Sequence, residues 1–326
     1  MTPPPPVSLV LTVLNEARTI PSFLASVREQ TSVPTEIVVV DGGSTDDTVA
    51  ILRKWTPPGG CTMSVVSAPG AGISEGRNRA VRAAAHDIVL VTDGGTVLEP
   101  RWVERMRAAF DRETEPTVVG GFFRPVGAAF MERAIACTGT PRREEVSEAT
   151  FLPSSRSFAF TKNAWESAGG YPEWLDYCED LVFDLRLKER GNTFAFVPDA
   201  VVTWSARSSL PGFMKQYYRY ARGDGKAGLW PKRHAVRYAA YATGLALTGA
   251  SFAQPWVLVP LVVGFAAYTS KFVRRVFARR DQFGALTPLA LGLAPVIVVA
   301  GDIAKMAGYP VGVRWRARRH PAESEV

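Results

Sequence analysis

Cysteine and histidine are scarce in this chain of 326 residues, at three of each. Cys61, Cys137 and Cys178 are widely spaced and form no CxxC pair. That argues against a disulfide framework or a cysteine zinc site and fits a reducing compartment. His86, His234 and His320 are scattered, and none is assigned to a metal. The opening MTPPPP has neither the basic nor the apolar stretch of a secretory signal, so the amino-terminal part is expected to stay in the cytoplasm. No G-x-G-x-x-G follows the first apolar strand. A Gly70, Gly72, Gly76 series follows the third, with spacing one residue too long, so a nicotinamide or flavin site is not expected.

What the chain does have is a regular alternation. VSLVLTVL (7–14) reads as a strand buried on both faces, and Ile20, Phe23, Leu24 and Val27 follow at helical spacing. EIVVV then runs into Asp41-Gly42-Gly43-Ser44-Thr45-Asp46-Asp47, with Ser44 or Thr45 predicted to cap a helix reaching Trp55. A strand near 63–67, a helix near 74–84, a strand at 88–92 ending in Asp93-Gly94-Gly95, and a helix at 100–110 complete four repeats. That pattern predicts a doubly wound, mostly parallel sheet with its ligand loops at the strands' carboxyl ends. TVVGGFFRP (117–125) reads as another strand and 138–157 as a loop at the mouth of the site. A helix begins at Glu179-Asp180 and ends at Gly191, with Leu181, Leu185 and Leu187 facing inward.

The chemistry-bearing residues fall at successive strand ends: Thr12 near the end of the first with Asn15 and Glu16 after it, Asp41 after the second and Asp93 after the fourth, with Arg77 and Asn78 in the helix after the third. Carboxylates there can accept from a base N–H or ribose hydroxyls. Arg77 can pair with a phosphate, and a metal on Asp93 can bridge a diphosphate. Arg142, Arg143 and Arg156 offer further phosphate contacts, though for the first two a solvated basic loop reads the same way.

VLNEA, VVDGGSTDDT, EGRNRA and VTDGG resemble the nucleotide-binding half of family-2 inverting glycosyltransferases of the GT-A fold, over roughly residues 7–210. The resemblance implies a nucleotide-sugar donor, with Asp41 near the base, Glu16 near the nucleoside, and Asp93 on a divalent cation, Mg2+ or Mn2+. Many relatives carry a D-x-D pattern at this point. Here the second acidic position is Gly95, as in the branch with D-A-G or D-G-G, which leaves more of the metal's shell to water and phosphate oxygens. Relatives often place a metal-ligating histidine after the domain's last strand, where this chain reads VVTWSAR. Glu179-Asp180 matches the family's acidic motif. That implies Asp180 as the base that deprotonates the acceptor, with Glu179 ordering the acceptor or the loop. Gln216, Arg219 and Tyr220 form a Q-x-x-R-Y that is similar to the Q-x-x-R-W of processive membrane synthases. There the motif lies on an interfacial helix over the donor and the acceptor end.

Net charge is +7, with much of the excess after residue 213. Aromatic residues between 213 and 222 interleave with Lys215, Arg219 and Arg222, a pattern suited to the membrane–water boundary. Residues 238–270 carry no charge. As one helix that run is about 50 Å long, beyond a single crossing of a ~30 Å core, so Gln254-Pro255 is predicted to turn it into two short crossings. Five basic residues between 271 and 280 anchor the cytoplasmic side. A third apolar run, 283–301, is long enough to span. The basic tail RWRARRH, Pro288, Pro295, Asp302 and Lys305 fit a re-entrant or interfacial segment instead, and two versus three crossings stay open.

The expected architecture is therefore a GT-A domain over 1–212, an interfacial helix and linker over 213–234 and a transmembrane region over 235–326. The expected activity is a membrane-anchored inverting hexosyltransferase. It moves a sugar from a UDP-sugar to a lipid-linked or glycan acceptor, among membrane lipids and without nucleic acid. The alternatives are a polyprenyl-phosphate sugar synthase and a catalytically silent membrane scaffold that keeps the fold. The oligomeric state is not legible.

Overall fold

Strand β1 (Val7–Val13) sits at the centre of its sheet, paired in parallel with β2 (Glu36–Asp41) on one side and β4 (Ile88–Val91) on the other. Both of its faces are covered, so it shows no polar alternation: Val7, Leu9, Leu11 and Val13 enter one core cluster and Val10 the opposite one. The computed structural model describes residues 4–111 and 116–318; Met1–Pro3 of the opening and Arg319 and His320 of the tail lie outside the described residues.

The remaining strands are β3 (Thr62–Ser67), β5 (Thr96–Leu98), β6 (Val118–Val126), β7 (Phe158–Thr161) and β8 (Phe194–Ser205). The sheet runs β3-β2-β1-β4-β7-β6-β8-β5. The β3-β2-β1-β4 half is parallel. Beyond it β7 pairs antiparallel with β4 and β6, and β5 antiparallel with β8. Helices α1 (Ile20–Arg28) and α4 (Trp102–Ala108) pack on one face through Ile20, Phe23, Trp102 and Met106. α3 (Ile73–Ala83) and α7 (Glu179–Glu189) pack on the other through Ala80, Val81, Phe183 and Leu187. α2 (Thr48–Lys54) follows β2, and α6 (Lys162–Ser167) follows β7. This is the mixed, mostly parallel α/β sheet of the GT-A class.

Three local expectations are corrected. Neither Ser44 nor Thr45 caps α2; their side chains bind the neighbouring loop, and Asp46 takes the Thr48 N–H. Leu181 and Leu185 are only half-buried, while Val182, Phe183 and Leu187 form the inner face of α7. Strand β5 and helix α5 (Phe130–Gly139) occur where the sequence showed only a turn and the approach to a loop. The carboxyl-terminal cap of α7 is as expected: Gly191 has φ +76°, and the Asn192 N–H reaches the Leu187 carbonyl at 3.1 Å.

The chain divides into two compact units, one of Met1–Arg124 and Arg143–Ser205, the other of Pro125–Arg142 and Ala206–Glu325. The second unit contains α5, α8 (Leu210–Ala227), α9 (Pro231–Ala250), α10 (Leu258–Phe277) and α11 (Thr287–Arg318). Two of its segments, Pro255–Phe277 and Gly284–Arg318, are long and apolar enough to cross a membrane. α11 is one helix despite Pro295 and Pro310. Pro310 has no N–H to give the Met306 carbonyl, and the Tyr238 hydroxyl donates to that oxygen instead, at 2.6 Å.

Candidate active site

The parallel half of the sheet directs its strand ends to one edge, and the first unit assembles its polar residues there. Asn15 follows β1 with φ +56°, a left-handed conformation that asparagine tolerates because its side chain bonds locally. Its N–H donates to Ser44 Oγ at 2.9 Å, and its Oδ1 accepts from the Thr45 N–H at 2.9 Å. Glu16 N–H donates to Thr48 Oγ1 at 2.8 Å and Ala17 N–H to Asp46 Oδ2 at 3.1 Å. The NEA and GGSTDDT loops are therefore stitched into one rim. Thr12 lies under α3, where a Cβ on Gly76 would meet its methyl at 2.6 Å, so only glycine lets the helix approach β1 this closely.

Asp41 is 4% exposed, and its carboxylate accepts from the Gly43 and Ser44 N–H groups at 3.1–3.2 Å. Its own turn occupies these lone pairs, so Asp41 shapes the rim.

Arg77 is placed differently from expectation. Its guanidinium is 2% exposed, donates to Asp93 Oδ1 at 2.8 Å and to Glu179 Oε1 at 2.7 Å, and lies 5.3 Å from the Tyr171 ring centre. Two carboxylates already engage this arginine, so the phosphate contact expected of it is not available in this geometry. It joins the end of β4 to the start of α7. Burial opposes its charge, but Asp93 and Glu179 together outweigh burial and raise its pKa.

Asp93 keeps 29% of its side chain exposed. Burial opposes its ionisation, yet Arg77 and then Arg156 hold its pKa below the ordinary carboxylate value. Arg156 Nε stands 3.7 Å from Asp93 Oδ2, and its guanidinium lies 4.7 Å over the Trp204 ring. Trp204 belongs to the VVTWSAR stretch where relatives place a histidine. A Cβ on Gly95 would come within 3.6 Å of Glu16 Oε2, so the Glu16 carboxylate borders the position where a D-x-D pattern puts its second acid.

Among the described residues no group of three or more His, Cys, Asp or Glu side chains converges on one point. The donor set at Asp93 still fits a hard divalent cation. It offers an ionised, partly exposed carboxylate with a second carboxylate nearby, and Mg2+ typically takes one or two protein carboxylates and completes its shell with water and substrate phosphates.

Glu179 and Asp180 open α7 after Cys178, whose φ of +66° turns the chain sharply into the helix. Glu179 is buried, and burial followed by the neighbouring Asp180 raises its pKa against the pull of Arg77. Asp180 is more exposed, with Oδ1 accepting the Leu181 N–H at 2.9 Å. One turn further on, Asp184 is fully buried with no hydrogen-bond partner for either oxygen among the described residues. Burial, then Asp180, pushes its pKa well above the usual range, which favours the uncharged form. Nothing in the sequence marked it. Asn78, next to Arg77 on α3, braces the segment before α7: it donates to the Tyr171 carbonyl and Glu173, each at 2.8 Å, and accepts from the Tyr171 N–H and Trp165 Nε1.

The structure thus brings together Thr12, Asn15, Glu16, Asp41, Arg77, Asp93, Arg156, Glu179 and Asp180 within one unit. Gln216, Arg219 and Tyr220 lie on α8 of the other unit, where Gln216 donates to the Tyr220 hydroxyl at 2.5 Å and accepts from Arg207 Nε at 3.2 Å. Arg143 pairs on the surface with Asp199 at 2.7 Å, the solvated reading of that loop.

The model for glycosyl transferase family 2 matches residues 8–152, and that for glycosyl transferase family group 2 matches residues 88–301. The chain is 25% identical to glycosyltransferase AglE of Haloferax volcanii over 276 residues, 83% of this chain and 86% of that protein. It is 24% identical to the succinoglycan biosynthesis protein ExoA of Rhizobium meliloti over 299 residues, 86% and 89% of the two chains. Its fold is similar to that of the S. aureus protein TarS in complex with UDP-GlcNAc, with TM-score 0.53 at 20% identity, covering 97% of this chain and 93% of that one. It is similar also to that of the mannosyltransferase PcManGT from Pyrobaculum calidifontis in complex with GDP-Man and Mn2+, with TM-score 0.56 at 21% identity, covering 94% and 88%. The chain belongs to glycosyltransferase family 2.

Proposed function

We propose that this glycosyltransferase moves a hexosyl group from a nucleoside diphosphate donor, UDP above all, to a lipid-linked or membrane-proximal acceptor, with inversion at the anomeric carbon. The observation that carries the reading is the Arg77 bridge between Asp93 and Glu179. It fixes the carboxylate at the end of β4 relative to the acidic pair at the start of α7. Inverting displacement needs leaving-group stabilisation on one face of the sugar and a base on the other.

Asp93 would hold the divalent cation, and a cation bound there supplies positive charge to the leaving diphosphate. Arg156, fixed over Trp204, adds positive charge beside the same carboxylate. The rim built from Asn15, Glu16 and Asp41 receives the nucleoside. Asp180 accepts the proton of the acceptor hydroxyl as that oxygen attacks. Glu179, buried against Arg77, holds the start of α7 in place so that Asp180 faces the acceptor. The segments Pro255–Phe277 and Gly284–Arg318 support attachment to the cytoplasmic membrane with the catalytic unit on its inner face.

Calorimetric titration with UDP and GDP, each with and without Mn2+, tests the donor. NMR of the product's anomeric proton tests the stereochemistry. The reading expects UDP to bind more tightly and the donor's α-configuration to become β. Preferential GDP binding would overturn the base assignment, and retained configuration would overturn the single displacement.

A further inference from the structure

We infer that the α9–α10 hairpin dips into one leaflet of a bilayer and returns, so that none of α9, α10 and α11 crosses the membrane. This rests on the proposed membrane attachment and replaces the two or three crossings between which the sequence left the choice open. It concerns the second unit alone.

The first observation is how little of the hairpin is free. Asp302 of α11 is buried and accepts from Arg237 Nε at 2.9 Å, from the Tyr241 hydroxyl at 3.2 Å and from the Tyr268 hydroxyl. Those bonds tie α9 and α10 to α11 at one level. Below it, Arg275 and Arg279 of the α10 foot donate to the carbonyls of Thr138, Cys137 and Thr140 around the end of α5. Above it, most of residues 242–250 and 258–267 are exposed, and Gly244 faces Leu261 across the hairpin. At about 1.5 Å per residue each free arm is about 15 Å long. The hydrocarbon core is about 30 Å thick, so the arms match one leaflet and reach only half-way across.

The second observation is the chemistry of the two ends. The turn carries Phe252, 88% exposed, and Trp256, 67% exposed, with no charged residue anywhere in 238–270. A turn emerging on the far side would face water and headgroups; this one pairs its own polar groups, Trp256 Nε1 donating to Gln254 Oε1 at 3.1 Å and Ser251 Oγ to the Thr248 carbonyl at 2.7 Å, which suits a setting without water. The foot presents Lys232, Arg233, Lys271, Arg274 and Arg280, a basic ring suited to anionic headgroups at the surface the hairpin enters.

The third observation removes α11 as a span. From Gly301 onward it packs directly on α8: a Cβ at Gly308 would strike the Tyr218 carbonyl, and one at Gly312 the Arg222 carbonyl. α8 carries Lys215, Arg219, Arg222, Asp224 and Lys226 along its length, so it cannot enter the hydrocarbon core. α11, bound to it backbone to backbone, stays at the interface with it. Its exposed Leu289, Val296 and Ile303, spaced seven apart, form one stripe for the acyl boundary.

The test uses the full chain in bacterial membranes, with one added thiol per variant and peptide mapping to separate it from Cys61, Cys137 and Cys178. Phe252→Cys, Lys271→Cys and Arg314→Cys are treated with a membrane-impermeant maleimide in right-side-out and in inside-out vesicles. The expected result is that Lys271→Cys and Arg314→Cys react only in inside-out vesicles. Phe252→Cys reacts in neither until detergent is added. A bimane on Phe252→Cys is then quenched best by lipids brominated near the acyl terminus. Reaction of Phe252→Cys in right-side-out vesicles overturns the inference in favour of two crossings, and reaction of Arg314→Cys there restores α11 as a span. Release of the wild-type chain by alkaline carbonate, with Phe252→Cys freely reactive in the wash, overturns the membrane reading itself while leaving the donor assignment untouched.

Discussion

The Arg77 guanidinium donates to Asp93 Oδ1 at 2.8 Å from a position that is 2% exposed. Its other terminal nitrogen holds Glu179, so two acidic residues 86 positions apart in sequence depend on one buried cation. Arg77→Met is expected to lower stability by about 3 kcal/mol, the low end for breaking a buried pair because Asp93 keeps part of its water. Arg77→Lys keeps the charge but lacks the planar fork that reaches both carboxylates, so it should recover stability in part and activity little. Thermal unfolding and steady-state transfer on both variants check this.

Asp184 makes the stability of the fold depend on pH. Its folded pKa is raised by burial, so the folded chain holds a proton that the unfolded chain releases above about pH 4. The folded state therefore loses stability as pH rises through that window. Asp184→Asn removes the titrating group. It should raise the melting temperature at pH 7 more than at pH 4, with kcat unchanged. Melting curves of the two proteins across pH 4–8 provide the comparison.

Tyr238 and Pro310 form a compensating pair. Tyr238→Phe removes the hydroxyl donor from an exposed carbonyl, that of Met306, and should cost about 0.5–1 kcal/mol. In a Pro310→Ala background the helix regains the missing N–H and the same change should cost close to nothing. Unfolding of the four proteins in detergent gives the cycle.

Gly95 bears on the metal. Gly95→Asp adds a carboxylate between Asp93 and Glu16, and the Mn2+ concentration for half-maximal nucleotide binding should fall at least about tenfold. An unchanged Mn2+ titration would mean that the cation does not sit at Asp93.

Much of this site lies open to the eye in the sequence because its residues sit at strand ends, and strand ends follow buried runs of period-free apolar residues. That pattern is what marks Asn15, Asp41 and Asp93 as candidates. What each of them bonds was not legible: the partner of Arg77 lies 102 residues on at Glu179, and a local pattern carries no such pairing. Strand direction was equally hidden, since Phe158–Thr161 reads the same whether it pairs parallel or antiparallel. Asp302 pointed to a re-entrant or interfacial segment, but its partner could not be read from the sequence. Asp302 is neutralised by Arg237 from 65 residues away, and α11 runs on through it.

In the proposed reaction Asp180 deprotonates the acceptor during transfer from a nucleotide-sugar. The most direct test follows labelled sugar from UDP donors into the organic-extractable fraction of membranes containing wild type or Asp180→Asn. The account predicts donor-specific incorporation by wild type and a loss of about 10²–10⁴-fold in the variant, with its folding and nucleotide binding intact. Incorporation that survives Asp180→Asn would contradict it and point to an acceptor that is already an anion, such as a lipid phosphate.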